Sequence, residues 1–278
     1  MTSKFGSDLF IDRHLGLGDN DERIMLNKLG FNNIDQFINQ VIPEDIQLKD
    51  KSSEILPQGC SEIEALNELE EIAKKNTKMR SLIGLGYYDN HMPKVIQRHV
   101  LENPRWYTSY TPYQAEIAQG RLEALFNFQT IVCELTGFPV ANASLLDEGT
   151  AAAEAMAMSF SARKNKSSKV YLVESNVFDH TFNVLQTRAK PLGISLKRFT
   201  QSNLPNHDDV FGILLQLPGK NGELFDPTFL ISQAHRSEII VTACIDPLAQ
   251  VLIKPISEFG VDVAVGSMQR FGVPMGFG

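Results

Sequence analysis

The residues able to do chemistry fall in a few short stretches. In Leu145-Leu-Asp-Glu-Gly149-Thr150-Ala-Ala-Ala-Glu154, a Gly-Thr step opens a helix. The backbone N–H groups of such a start, the Thr150 hydroxyl and the helix dipole could together hold a phosphate. The plainer alternative is an ordinary cap packed through small residues. Asp246 ends the apolar run Ile239-Ile-Val-Thr-Ala-Cys-Ile-Asp246. There it could hold a protonated ring nitrogen or a ribose, or simply start a turn with Pro247. Gly266-Ser-Met-Gln-Arg-Phe-Gly272 also follows a strand-like run. Its Arg270 could bind an anion or belong to a surface loop. In Trp106-Tyr-Thr-Ser-Tyr-Thr-Pro-Tyr-Gln114 the only tryptophan stands beside Tyr107, Tyr110 and Tyr113. Such residues have an apolar body and a polar tip, which suits an interface or a pocket wall as well as a packed loop.

Other motifs fail. Gly84-Leu-Gly86-Tyr-Tyr-Asp lacks the third glycine of a dinucleotide fingerprint. There is no Walker A motif and no GxSxG elbow. His14, His91, His99, His180, His207 and His235 show no metal-ligand spacing, so no metal is expected.

The elements that must position these residues come in two rhythms. The first sixty residues read as small helices: one capped by Asp19 and stopped by Gly30, another capped by Asn33 and stopped by Pro43. The stretch 49–59 reads as a linker. Ser61-Glu-Ile-Glu64 is a capping box opening a helix with Ile63, Leu66, Leu69 and Ala73 on one face. Thr111-Pro-Tyr-Gln114 reads as a second capping box. The helix it opens would carry Ala118, Leu122, Leu125, Phe128, Val132 and Leu135, ending at Gly137. A third helix is expected from about 149 to 163. After residue 165, strand-like runs at Val170–Glu174, Ser195–Phe199, Val210–Leu217, 238–246 and 261–265 alternate with intervals of helical length at 178–193, 226–237 and 247–259. That alternation predicts an α/β open sheet with a parallel core. Its ligand crevice would lie at the strands' carboxyl ends, near Glu174, Leu217, Asp246 and Gly266. The expected organisation is a helical extension over 1–60 and a major domain over 61–278.

Composition narrows the classes. With 278 residues, 43% of them hydrophobic and 21% charged, the chain can bury a core, so disorder and coiled coil are poor readings. The longest apolar runs, such as 211–217, are far short of a membrane span. A net charge of −7 without a basic block argues against nucleic-acid binding. Cys60, Cys133 and Cys244 form no CxxC pair. Reduced thiols and a start without an apolar or Arg-rich leader fit a cytoplasmic compartment. The glycine-rich Gly272-Val-Pro-Met-Gly-Phe-Gly278 is an unusual place for a domain to stop and reads as a cut end.

Longer matching pieces identify a resemblance. They are Phe10-Ile-Asp-Arg-His-Leu-Gly16, Ile83-Gly-Leu-Gly-Tyr87, Glu102-Asn-Pro-Arg-Trp-Tyr-Thr-Ser-Tyr-Thr-Pro-Tyr-Gln114, Gly120-Arg-Leu-Glu-Ala124, Ala143-Ser-Leu-Leu-Asp-Glu-Gly-Thr-Ala-Ala-Ala-Glu-Ala-Met-Ala157 and Gly266-Ser-Met-Gln-Arg-Phe-Gly-Val-Pro-Met-Gly276. Together they resemble the N-terminal half of the glycine dehydrogenases (decarboxylating), the P proteins of the glycine cleavage system, in their long single-chain form. The resemblance implies a fold-type I pyridoxal-phosphate transferase fold. It implies glycine decarboxylation, with the aminomethyl group passed to the lipoyl arm of the H protein. It also implies partnership with a C-terminal half that carries the Schiff-base lysine, and a homodimer for the whole enzyme.

On that alignment Gln269 stands where a lysine would be, and glutamine forms no imine. Gly149 and Thr150 would match the phosphate-binding turn, and Asp246 the acid facing the pyridine nitrogen, all three as relics. Trp106, Tyr107, Tyr110, Tyr113 and Arg270 would form an interface or pocket wall. Relatives often carry histidine where Phe178 stands. A different reading is a non-catalytic remnant that only binds other proteins. A complete small pyridoxal-phosphate enzyme, such as a desulfurase, would need a lysine after a strand, and Lys254 and the lysines before it are poorly placed.

Overall fold

The structure, a computed structural model, describes residues 14–48, 56–57, 59–107, 111–201, 204–205 and 209–275. It divides into two compact units, 1–81 and 82–278. In the first, helices α1 (Asp19–Leu29), α2 (Ile34–Val41) and α3 (Glu62–Lys74) follow one another. Gly18, not Asp19, is the cap of α1. Asp19, Asp21 and Glu22 instead lie in its first turn, where the dipole favours them. Asn33 caps α2 by accepting from the Gln36 N–H. Ser61 and Glu64 form the expected reciprocal box on α3. The α3 stripe of Ile63, Leu66 and Leu69 is exposed. Most of the expected 49–59 linker lies outside the described residues.

The second unit opens with α4 (Lys94–Leu101), a short helical turn Pro104–Tyr107, α5 (Gln119–Thr136) and α6 (Glu148–Ala162). The helix expected from Thr111 does not start there. Tyr113 N–H bonds back to Thr111 O, and Gln114 O accepts from Ile117 and Ala118. These turns fold the chain tightly between Thr111 and Ala118, and regular helix begins only at Gln119.

Five strands then alternate with helices. They are β1 (Val170–Glu174), β2 (Ser195–Phe199), β3 (Val210–Leu217), β4 (Ile240–Ile245) and β5 (Val263–Val265). Helix α7 (Asp179–Leu192) joins β1 to β2, and α8 (Thr228–Arg236) joins β3 to β4. The sheet order is β2-β1-β3-β4-β5, and every pairing is parallel. The interval 247–259, expected to be helical, makes only two short turns, Pro247–Gln250 and Ile256–Phe259. Pro255 cannot donate to a helix that would continue through it.

Successive side chains point to opposite faces, so each strand feeds two cores. Leu172, Ile213, Leu215, Val241 and Ala243 pack with Leu230, Ile231 and Ala234 of α8. Tyr171, Val173, Leu214 and Cys244 pack with Ala152, Ala153 and Met156 of α6 and with Leu185 and Ala189 of α7. The alanines let α6 lie close to the sheet. Both faces are therefore covered, as a parallel sheet requires. Gly212 serves the same packing, because a Cβ there would meet the Tyr171 ring at 2.6 Å. β2 is the exposed edge, guarded by Lys197 and Arg198.

Candidate crevice at the carboxyl end of the sheet

The first turn of α6 and the carboxyl ends of β3, β4 and β5 converge. Asp147 caps α6, its Oδ1 accepting from the Thr150 N–H at 2.6 Å. The Thr150 backbone and hydroxyl hold the Asp147 carboxyl below its usual range. Glu148 follows, half-buried, beside the side chain of Gln216 at the end of β3. Burial pushes the Glu148 carboxyl up to about 7, and the neighbouring Asp246 and Asp147 add to the rise. Glu148 Oε1 and Gln216 Oε1 are both buried without a hydrogen-bond partner.

Asp246, after β4, starts the turn Pro247–Gln250 by accepting from the Leu248 N–H at 2.9 Å. Its carboxylate also receives Arg270 in a fork. Arg270 Nε lies 3.2 Å from Oδ1 and 3.1 Å from Oδ2, and its terminal nitrogen lies 2.8 Å from Oδ2. The two side chains are 25% and 15% exposed, so the pair is only partly screened by water. Arg270 belongs to the turn Met268–Phe271 that follows β5. In the same turn, Gln269 Nε2 donates to Tyr88 O at 3.1 Å and to Val273 O at 2.9 Å.

Beside the crevice, Phe178 stacks on His180 with ring centroids 5.4 Å apart, and Tyr87 lies at 5.4 Å on the same imidazole. Burial holds His180 below its ordinary value. Trp106 and Tyr107 are carried by a different element, the turn after α4, and Tyr113 is exposed at 80%. Tyr110 lies outside the described residues. Among the described residues there is no group of three or more His, Cys, Asp or Glu that could hold a metal. No helix among them is long and apolar enough to cross a membrane.

The structure thus brings Gly149, Thr150, Asp246, Gln269 and Arg270 to one end of the sheet. Sequence reasoning gave Glu148 and Gln216 no role. A polar residue inside the apolar run Val210–Leu217 was the available signal. The residues present do not fit pyridoxal phosphate. The α6 start offers two carboxylates beside an N–H that Asp147 already takes. Asp246 is committed to Arg270 and Leu248. Gln269 is an amide bound to two carbonyls, not an amine.

The glycine cleavage system P-protein family model matches residues 12–278. A glycine dehydrogenase (decarboxylating) of Prochlorococcus marinus (strain NATL2A) is 57% identical over 269 residues, 97% of this chain. One of Parasynechococcus marenigrum (strain WH8102) is 56% identical over the same length. In both cases the chain spans 28% of the relative's length. The crystal structure of a glycine decarboxylase (P-protein) of the glycine cleavage system, in inhibitor-bound form, superposes with a TM-score of 0.82 at 29% identity. That match covers 95% of this chain and 60% of that one. Matched along nearly its whole length in sequence and in fold, the chain belongs to the glycine cleavage system P-protein family.

Proposed function

We propose that this chain is the N-terminal part of a glycine-decarboxylating enzyme, the part without the Schiff-base lysine. In that reading it docks the C-terminal, lysine-bearing part and builds one wall of its pocket on the side the H protein approaches. The whole enzyme passes the aminomethyl group of glycine to the lipoyl arm of the H protein with release of CO₂. Pyridoxal phosphate, held by the other part, supplies the electron sink for the carbanion left by CO₂. The observation that supports the reading is the Gln269 side chain, an amide engaged by two carbonyls, at the position where the family resemblance would set a lysine.

The crevice residues of this chain then have structural duties. Arg270 neutralises Asp246, which would otherwise be a partly buried lone charge. Asp147 satisfies an otherwise orphaned donor at the start of α6. The Asp147 carboxylate, which takes the Thr150 N–H, makes this helix start repel anions. Gly149 lets α6 approach α7, since a Cβ there would lie 3.3 Å from Val184. The aromatic residues Trp106, Tyr107, Tyr110 and Tyr113 are the wall and docking residues of this reading.

The test is glycine-dependent CO₂ release with lipoylated H protein. The chain joined to its C-terminal counterpart is expected to be active, and the chain by itself inactive. Activity of the chain by itself would overturn the assignment. Inactivity of the joined protein would favour the non-catalytic alternative.

A further inference from the structure

The segment 84–91 touches both the start of α7 and the turn after β5. At one end Gly86 abuts Phe178, where a Cβ would lie 3.0 Å from the ring, and Tyr87 packs on His180. At the other end two side-chain amides bind it to the turn after β5. Asn90 Nδ2 donates to Gln269 O at 3.0 Å and to Val273 O at 3.2 Å. Gln269 Nε2 returns a bond to Tyr88 O at 3.1 Å. The Arg270 guanidinium lies 4.5 Å from the centre of the Tyr88 ring while holding Asp246.

The backbone leading into the first anchor is strained at Leu85. Gly84, Leu85 and Gly86 have φ of 67°, 57° and 87°, all in the left-handed region. Glycine adopts that region freely, but leucine resists it. A non-glycine residue persists there only where its surroundings over-determine it.

We propose that Asn90 and Gln269 are positioning residues of a clamp, with Arg270 as its brace, that fixes the segment 84–91 to the turn after β5. The glutamine at 269 is there for its two donor hydrogens, which a carboxylate lacks. In the functional reading above, on which the purpose of the clamp rests, the fixed segment presents Leu85 and Tyr87 as a preformed part of the pocket wall. Both side chains are at least half exposed.

Amide hydrogen exchange on the 278-residue chain tests this. Gln269→Ala and Asn90→Ala are each expected to speed exchange in 84–91 by about tenfold, the worth of one or two hydrogen bonds. Exchange in β3 and β4 is expected to stay unchanged. The near-isosteric Gln269→Glu and Asn90→Asp keep the volume and lose the donors, so they are expected to loosen the segment as much as alanine does. Wild-type exchange in the isosteric variants would overturn the proposal, because volume alone would then suffice. Exchange rising across the whole sheet would also overturn it, because the residues would then support the fold at large. The measurement needs no glycine-cleaving activity, so a failure of the functional reading leaves its result standing.

Discussion

Replacing Glu148 with glutamine should change how stability depends on pH. Glu148 sits in the first turn of α6 with Oε1 buried and unpartnered, beside Gln216 and close to Asp246. Its carboxyl titrates near 7 in the fold, against an ordinary value of 4.5. The folded state therefore holds a proton that the unfolded chain releases. Below pH 4.5 both states are protonated and the site costs nothing. As pH rises from 4.5 through 7, ionisation is progressively penalised and stability falls. The gap, at about 1.4 kcal/mol per pH unit, amounts to about 3 kcal/mol, complete above pH 7. Glutamine cannot ionise and is nearly the same size. Urea denaturation of the wild type and Glu148→Gln from pH 4.5 to 8.5 reads the effect directly, because other titrating groups cancel in the difference. The two proteins should be close at pH 4.5, and the variant should be more stable by about 3 kcal/mol at pH 8. Parallel profiles, or a variant less stable at pH 8, would refute the reasoning.

Other outcomes follow from the same geometry. Asp246→Asn keeps the cap on Leu248 but strands the Arg270 guanidinium. It should cost about 2 to 3 kcal/mol in urea denaturation, and a double-mutant cycle with Arg270→Gln should show strong coupling. Gly266→Ala would place a Cβ 2.3 Å from Ile245 O, which is backbone and cannot yield cheaply. A loss of about 3 kcal/mol and a lower melting temperature are expected. Ser61→Ala removes half of the capping box on α3 and should cost about 1 kcal/mol of local stability, read as faster amide exchange in its first turn.

The α/β layer was legible because its signals are local. The runs 170–174, 195–199 and 210–217 are apolar or β-prone and bounded by turn residues. The structure places β1, β2 and β3 on those residues. The interval 247–259 has helical length but carries prolines at 247 and 255, and the prolines prevail. The Thr111 box misled because its pattern also suits a tight turn, and turn bonds won there. In the crevice, Asp246 and Arg270 were each singled out but for separate ligands. Their pairing was not legible, because it joins residues 24 apart that no period relates. The bonds from Asn90 and Gln269 span 179 and 181 positions, so only the fold reveals them. Glu148 was hidden for another reason. Its perturbed carboxyl comes from burial beside two aspartates, and burial is a property of packing rather than of residue type.

In the proposed function this chain lends its fold, not its amine, to the chemistry. The most direct measurement is borohydride reduction of the whole glycine-cleaving protein loaded with pyridoxal phosphate, followed by peptide mapping. The stoichiometric pyridoxyl-lysine should fall outside residues 1–278, with Gln269 and the lysines of this chain unmodified. A stoichiometric pyridoxyl group on any lysine of this chain would contradict the account.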